Sequence, residues 1–294
     1  MNYYIETKCG DKIDIKLLQN KSLEIYEYFN HFCQTNQLRH FVLGGCAIGA
    51  VRNKGFIPWD DDIDVFMPRP DYEKLIKIWN KKANSSRFSL CKTDLTHNYH
   101  GCATFIKDNN TTFINEHSKN EDINHGFFID VIPLDGCPKS KIKRIFQIIF
   151  AMIYSLFYAQ RLPNNQGFFI RYLSKFILGL IKSQKSRYKI WQFCEKQMTK
   201  YDYDTSDYIT ELVTGLKGLF HRHPKEIFSK IISVPFENTE IYLPIGFEQY
   251  LKRVFGNYLA LPAEKDRIPK HKPYFIDLNN SYKKYKGIYF CKKE

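Results

Sequence analysis

The 294-residue chain has eight cysteines but no Cys-x-x-Cys pair and no cysteine–histidine cluster at zinc-ligand spacing, which argues against a structural zinc site. It has no internal repeat, so repeat architectures are set aside. Long apolar runs are lacking too: a helix of about 15 residues spans roughly 22 Å, short of the roughly 30 Å hydrocarbon layer. Met1 to Asp14 has no basic start followed by an apolar core, so no secretory signal is expected and the cytoplasm, with mostly free thiols, is the expected location. Acids are almost absent from one stretch. Between Lys139 and Lys200, 13 Lys and Arg face Glu195 alone, so this segment carries +12 of the chain's formal +13. The remainder is nearly neutral, which excludes a protein basic all over, of the kind that coats nucleic acid.

Hydrophobic residues make up 44%, charged residues 26% and aromatic residues 16%, the composition of a globular protein with large apolar surfaces. Apolar side chains at Leu17, Leu18, Ile25, Tyr28, Phe29 and Phe32 predict an amphipathic helix over 16–38. A short strand Phe41 to Leu43, a Gly44-Gly45 turn and a helix beginning near Ala47 are expected next. Asp60 to Met67 alternates acid and apolar residue and reads as a strand, followed by a helix over Asp71 to Asn80. Ala103 to Lys107 and Phe127 to Ile132 are strand-like and expected to pair. Two helical stretches, Ile142 to Ala159 and Phe168 to Ile181, are apolar nearly all round and are joined by a loop over 162–167. A strand at Glu240 to Leu243, a helix at Phe247 to Phe255 and a Lys/Tyr-rich tail close the chain.

The chemistry concentrates at Asp60-Asp61-Asp62-Ile63-Asp64. Side chains two apart on a strand share a face, so Asp60, Asp62 and Asp64 are expected to converge. Carboxylates side by side repel, and a hard divalent cation that takes oxygen ligands and bridges to a phosphate compensates them; magnesium fits, with manganese as substitute. An acidic turn exposed to solvent is the plain alternative. Against it stand the alternation with Ile63, Val65 and Met67, and the nearby Gly-Gly turn that lets backbone N–H groups approach phosphate. Asp130, alone among Phe127, Phe128, Ile129, Val131 and Ile132, needs a metal, a hydrogen-bond partner or an exposed strand edge.

The run Gly44-Gly45-Cys46-Ala47-Ile48-Gly49-Ala50-Val51-Arg52-Asn53-Lys54-Gly55-Phe56-Ile57-Pro58-Trp59-Asp60-Asp61-Asp62-Ile63-Asp64 resembles the signature of the LicD family of phosphocholine and related phosphoryl-alcohol transferases. The resemblance continues through Met67 to Tyr72, Phe105 to Thr111, Gly126 to Gly136, Tyr250 to Tyr258 and Leu261-Pro262, and then at Arg267 and His271. It implies an α+β fold with a nucleotidyltransferase-like mixed β-sheet core, helices packed around it and an inserted basic, apolar helical module. The expected divisions are a catalytic core over 1–138, the module over 139–200, and a C-terminal part over 201–294 that completes the catalytic domain. Cys46-Ala47-Ile48, where many relatives have Thr-Leu-Leu, is expected to alter packing rather than chemistry. The zinc-binding cysteines of some animal relatives have no counterpart here.

What the resemblance implies for function is transfer of a phospho-alcohol, phosphocholine first, from a CDP-activated donor to a sugar hydroxyl of a lipopolysaccharide, capsule or teichoic acid precursor, with release of CMP. Glycerol phosphate, ribitol phosphate or phosphoethanolamine are alternatives, and a non-catalytic membrane-associated scaffold is the non-enzyme alternative. Asp62, Asp64 and Asp130 match the metal-holding catalytic acids, with Asp130 also the candidate general base. Gly44 and Gly45 form the turn, and Asp60 has the parity to assist. Arg52 and Lys54 are expected on the diphosphate, with Lys107 facing the same region. Arg267 and His271 match the pattern without a role that follows from it. Trp59 reads as core, with stacking on cytosine or choline the alternative, and His221 and His223 read as loop histidines. The apolar helices edged by Lys and Arg suit an anionic inner leaflet, so peripheral attachment to the cytoplasmic face of the membrane and a lipid-linked glycan acceptor are expected, and no nucleic acid.

Overall fold

The computed structural model describes residues 3–162 and 168–292, without the side chains of 169 and 170. From residue 163 on, the loop expected over 162–167 lies outside the described residues. The fold is mixed α and β, and the chain divides into two compact units. One unit comprises Met1–Cys91, Phe105–Pro133 and Lys225–Glu294; the other comprises Lys92–Thr104 and Leu134–Pro224. This division differs from a module bounded at 139 and 200, because residues on either side of those limits share the second unit's core.

In the first unit, Asp14 caps the helix Ile15–Thr35 by accepting from the Lys16 N–H, and the helix buries Leu18, Ile25, Tyr26, Phe29 and Phe32. Leu17 falls one step off that stripe and is exposed. The buried strand Phe41–Val42 pairs antiparallel with Asp64–Pro68, Phe41 opposite Phe66 and Val42 opposite Val65. Helix Arg69–Lys82 buries Trp79, whose indole N–H donates to the Phe88 carbonyl and so anchors strand Phe88–Cys91. That strand pairs with Thr104–Asp108, which lies beside Phe127–Cys137, the neighbour the sequence pattern expects. Strand Thr112–Asn115 pairs with Pro273–Asp277, and this brings the chain's last fifth into the unit. The hairpin Ile231–Phe236 with Thr239–Pro244 and the helix Phe247–Phe255 follow the predicted pattern.

In the second unit, helices Lys141–Ala159 and Gln184–Met198 pack around Ala151, Tyr154, Phe157, Tyr158, Trp191, Cys194 and Met198. Leu134–Cys137 pairs antiparallel with Tyr208–Glu211, which pairs with His223–Pro224. Two expectations change here. His223 is not a loop histidine: it is buried on a strand, with Nε2 3.4 Å from the Glu211 carboxylate. Helix Lys141–Ala159, at 19 residues and mean hydropathy 1.4, is long and apolar enough by length and composition to cross a membrane, although one face of it belongs to this unit's core.

Two of the module's cations are structural. Arg144 is buried, donating to Gln147 Oε1 at 2.7 Å, to Thr210 Oγ1 at 2.7 Å and to the Leu219 carbonyl. Arg187 donates to the carbonyls of Leu178 and Ile181 at 2.8 and 2.7 Å and to Gln160 Oε1 at 2.6 Å.

Candidate active site

Strand Asp64–Pro68 begins four residues later than the acid–apolar alternation suggests, and Asp60 to Ile63 approach it as irregular chain. The alternation survives without the ladder: Asp62 and Asp64 are half-buried, while Asp61 and Ile63 are buried. The turn before them is held by Gln19, whose Nε2 donates to the carbonyls of Ile57 at 3.2 Å and Asp60 at 2.8 Å. Gln19 belongs to a helix 41 positions upstream of Asp60, and no local signal in the sequence marks it.

The helix of the Gly-Gly segment runs Gly44–Asn53, so it starts at the glycines rather than after them. Leu43 donates its N–H to the Asp64 carbonyl at 3.3 Å, and Gly44 then turns with φ +64°, a conformation that costs glycine little. A Cβ on Gly44 would lie 3.2 Å from Asp64 Oδ2, and one on Gly45 would lie 1.9 Å from Asp60 Oδ2. Only bare backbone fits against these carboxylates. The helix starts without a side-chain cap, which leaves its first N–H groups to an outside acceptor. Cys46, buried, donates its thiol to the Asp62 carbonyl at 3.2 Å. Burial and then the charges of Asp60, Asp62 and Asp64 push that thiol's pKa well up, so it stays protonated and keeps donating. The Cys46 departure therefore preserves a donor, which a hydroxyl at the same position also supplies.

The Asp130 N–H donates to the Ile63 carbonyl at 3.2 Å, and this bond sets Asp130 beside Asp62 and Asp64. Burial, then the Asp62 charge, raises the Asp130 carboxyl to about 7. Asp60 is raised to about 7 by burial and Asp62 as well, and Asp64 is pushed well up by burial and its three acidic neighbours. Lys107 is buried on strand Thr104–Asp108, where it donates to the Gly126 carbonyl at 3.3 Å and lies 4.5 Å from the Phe128 ring centroid. Burial lowers its pKa to about 8, against the pull of Cys91 and Asp130.

The sequence reasoning left out Asp61, because strand parity would set it on the face away from Asp60 and Asp62; the structure instead brings it and Asp62 to the same histidine, 3.0 and 3.9 Å from His271 Nδ1. The Asp61 carboxylate is fully buried. His271 arrives from just before strand Pro273–Asp277 and sits edge-on to the Phe113 and Phe128 rings, 5.9 Å from each centroid. Burial alone would lower its pKa, but the hydrogen bond to Asp61 and the charges of Asp61, Asp62 and Asp130 outweigh that and raise it to about 10. One ligand atom each from Asp61, Asp62 and His271 lie within 4.8 Å of one another, a grouping able to hold a metal ion. Oδ1 of Asp61 and Oδ1 of Asp130 are both buried without a hydrogen-bond partner. Buried lone pairs of this kind, on acids crowded together, fit a hard cation.

Arg52 and Arg267 converge on Trp59, each guanidinium 5.8 Å from its ring centroid. Burial and then the Arg267 charge lower the Arg52 pKa, and Arg52 Nη2 is buried with no acceptor. Two cations gathered with a donor to spare, next to Asp60, suit an anion. Trp59 is thus already faced by two guanidiniums rather than left as a bare platform for choline. Lys54 is not brought to this place: it ends the Gly44–Asn53 helix in a left-handed turn and lines an open polar groove with Glu24, Glu27 and Glu237.

A glycine-led helix start facing carboxylates on two adjacent extended segments, with arginines alongside, is a layout suited to phosphoryl transfer. The sequence pattern described as LicD/FKTN/FKRP, nucleotidyltransferase domain, matches residues 37–137, which contain the glycines and every acid of the cluster. The lipopolysaccharide cholinephosphotransferase LicD of Haemophilus influenzae is 26% identical over 269 residues, covering 88% of this chain and 97% of that one. Both comparisons support membership of the LicD family and a phosphotransferase activity.

Proposed function

We propose that the chain transfers phosphocholine from CDP-choline to a sugar hydroxyl of a cell-surface glycan precursor, releasing CMP, with magnesium, or manganese in its place, as cofactor. The observation that carries this reading is the Asp130 N–H to Ile63 carbonyl bond, which lines up acids from two segments against the bare backbone of Gly44-Gly45. The name of the Haemophilus relative supports the choice of alcohol and acceptor.

Magnesium held by Asp62 and Asp64, with Asp130 closing the set when it is not taking a proton, would offset charge on the donor diphosphate and the departing CMP. Arg52 and Arg267 bind the diphosphate, with the helix start at Gly44 taking a phosphate oxygen. Asp130, raised to about 7 and with Oδ1 unpartnered, takes the proton of the acceptor hydroxyl. His271, raised to about 10, keeps its proton at neutral pH and holds Asp61 in place rather than acting as a base. Lys107 keeps a cation beside Asp130 under the Phe128 ring. The protein works at the inner face of the cytoplasmic membrane, where a lipid-linked acceptor is presented.

The test is calorimetric binding of CDP-choline, CDP-ethanolamine, CDP-glycerol and CDP-ribitol with magnesium, to wild type and Asp62→Asn. Magnesium-dependent binding of CDP-choline, weakened in the variant, is expected. Binding of a different member of the set would reassign the transferred group, and binding of none would overturn a CDP-alcohol donor.

A further inference from the structure

Helix Lys141–Ala159 turns Ile142, Ile145, Phe146, Ile149 and Met152 outward, and helix Phe168–Leu180 does the same with Phe168, Tyr172, Leu173, Phe176 and Leu180. All ten are at least 40% exposed. Soluble surfaces rarely carry so many large apolar side chains close together in sequence. The spacing along the first helix, at i, i+3, i+4, i+7 and i+10, makes a stripe opposite the face that buries Arg144, Gln147, Ala151 and Tyr154. Lys141, Lys143, Lys175, Lys182, Lys185 and Lys189 are exposed on and after the same two helices.

We propose that these two outward faces form a docking surface for an anionic lipid bilayer, lying in its interface without crossing it. The inference makes specific the membrane location proposed above and rests on that part of the reading alone. Charge decides the occupant. A second copy would set one stretch of 13 cations and a single acid against another, whereas an anionic leaflet attracts the lysines while the apolar stripe enters the headgroup boundary. Spanning is opposed by the other face of the first helix. There Arg144 holds the Thr210 hydroxyl and the Leu219 carbonyl, and Gln147 donates to the carbonyls of Gly136 and Met198 at 2.9 Å, bonds that insertion would have to break. Arg144 and Arg187 are engaged inside the unit and take no part in lipid contact.

The test is sedimentation of the full chain with vesicles of phosphatidylcholine containing phosphatidylglycerol, and with phosphatidylcholine alone. Two variants accompany wild type: Lys175→Glu with Lys182→Glu, Lys185→Glu and Lys189→Glu, and Phe146→Ser with Ile149→Ser and Phe176→Ser. Wild type is expected to pellet with the anionic vesicles at least tenfold more strongly than with neutral ones, with each variant losing at least tenfold. Wild type remaining in the supernatant, or both variants pelleting like wild type, would overturn the proposal. So would a wild-type dimer on size exclusion that the serine variant converts to monomer. CDP-choline binding by the same preparations separates the two readings, because vesicle binding without donor binding would sink only the donor.

Discussion

Each unit buries charge, and the two do it in opposite ways. In the second unit Arg144 is buried and both terminal nitrogens of its guanidinium donate, to Gln147, Thr210 and the Leu219 carbonyl. In the first, Asp60, Asp61, Asp62, Asp64 and Asp130 are gathered with one sign of charge in excess and with carboxylate oxygens of Asp61 and Asp130 left without partners. A satisfied buried charge specifies a fold. An unsatisfied one is kept at a cost in stability, and the protein keeps it where a ligand completes it.

The sharpest way to break this contrast is Asp62→Asn. Turnover is expected to fall by about 1,000-fold while the melting temperature in chelator does not fall, since the change removes like-charge repulsion rather than a bond. A drop in melting temperature in step with activity would make the acid structural. Next comes Gly45→Ala, whose Cβ would sit 1.9 Å from Asp60 Oδ2 and must displace it. A loss of roughly 10- to 100-fold in kcat/KM is expected, and unchanged kinetics would show that the close approach is idle.

Arg144→Met tests the satisfied side. It strips partners from buried acceptors, so a loss of about 3 kcal/mol is expected, seen as roughly 5–10 °C in thermal melts, with kcat per folded molecule unchanged. Comparable in size and opposite in sign is Asp130→Asn in chelator, a stabilisation of up to about 4 kcal/mol at pH 8. Its sign follows from linkage. The folded carboxyl keeps its proton up to about 7, whereas the unfolded one loses it near 3.8. Between those values the folded wild type binds more protons, so its stability falls as pH rises; the gap to the variant is closed near pH 4 and fully open above pH 7. A gap independent of pH would remove the charge explanation. Lys185→Glu, on an exposed lysine, is expected to change stability by no more than about 0.5 kcal/mol in chemical denaturation.

Much of the site was legible because the features that build it are local. Gly44-Gly45, the acid run and the lone Asp130 lie in two short segments, and their residue types announce close approach and crowded charge. Asp61 was not legible, because parity along an assumed strand assigned it to the wrong side; the strand begins only at Asp64, where Phe41–Val42 supplies a ladder. His271 was quoted without a role because its partner is 210 positions away and is reached through the pairing of Thr112–Asn115 with Pro273–Asp277, which no periodicity shows. Lys54 misled in the opposite direction: it is close in sequence to the acids, but the turn that ends its helix points the chain elsewhere. In the second unit, charge counting gave the basic stretch its sum but not its roles, since Arg144 and Arg187 count the same as an exposed lysine until their partners are known.

Arg187 carries a consequence for how this chain can vary. Its guanidinium takes Gln160 with one arm and the Leu178 and Ile181 carbonyls with the others, so the chain leaves and returns at a single side chain. That arrangement is a clasp: one guanidinium ties the end of helix Lys141–Ala159 to the end of helix Phe168–Leu180, so a single substitution at Arg187 loosens both helix ends at once.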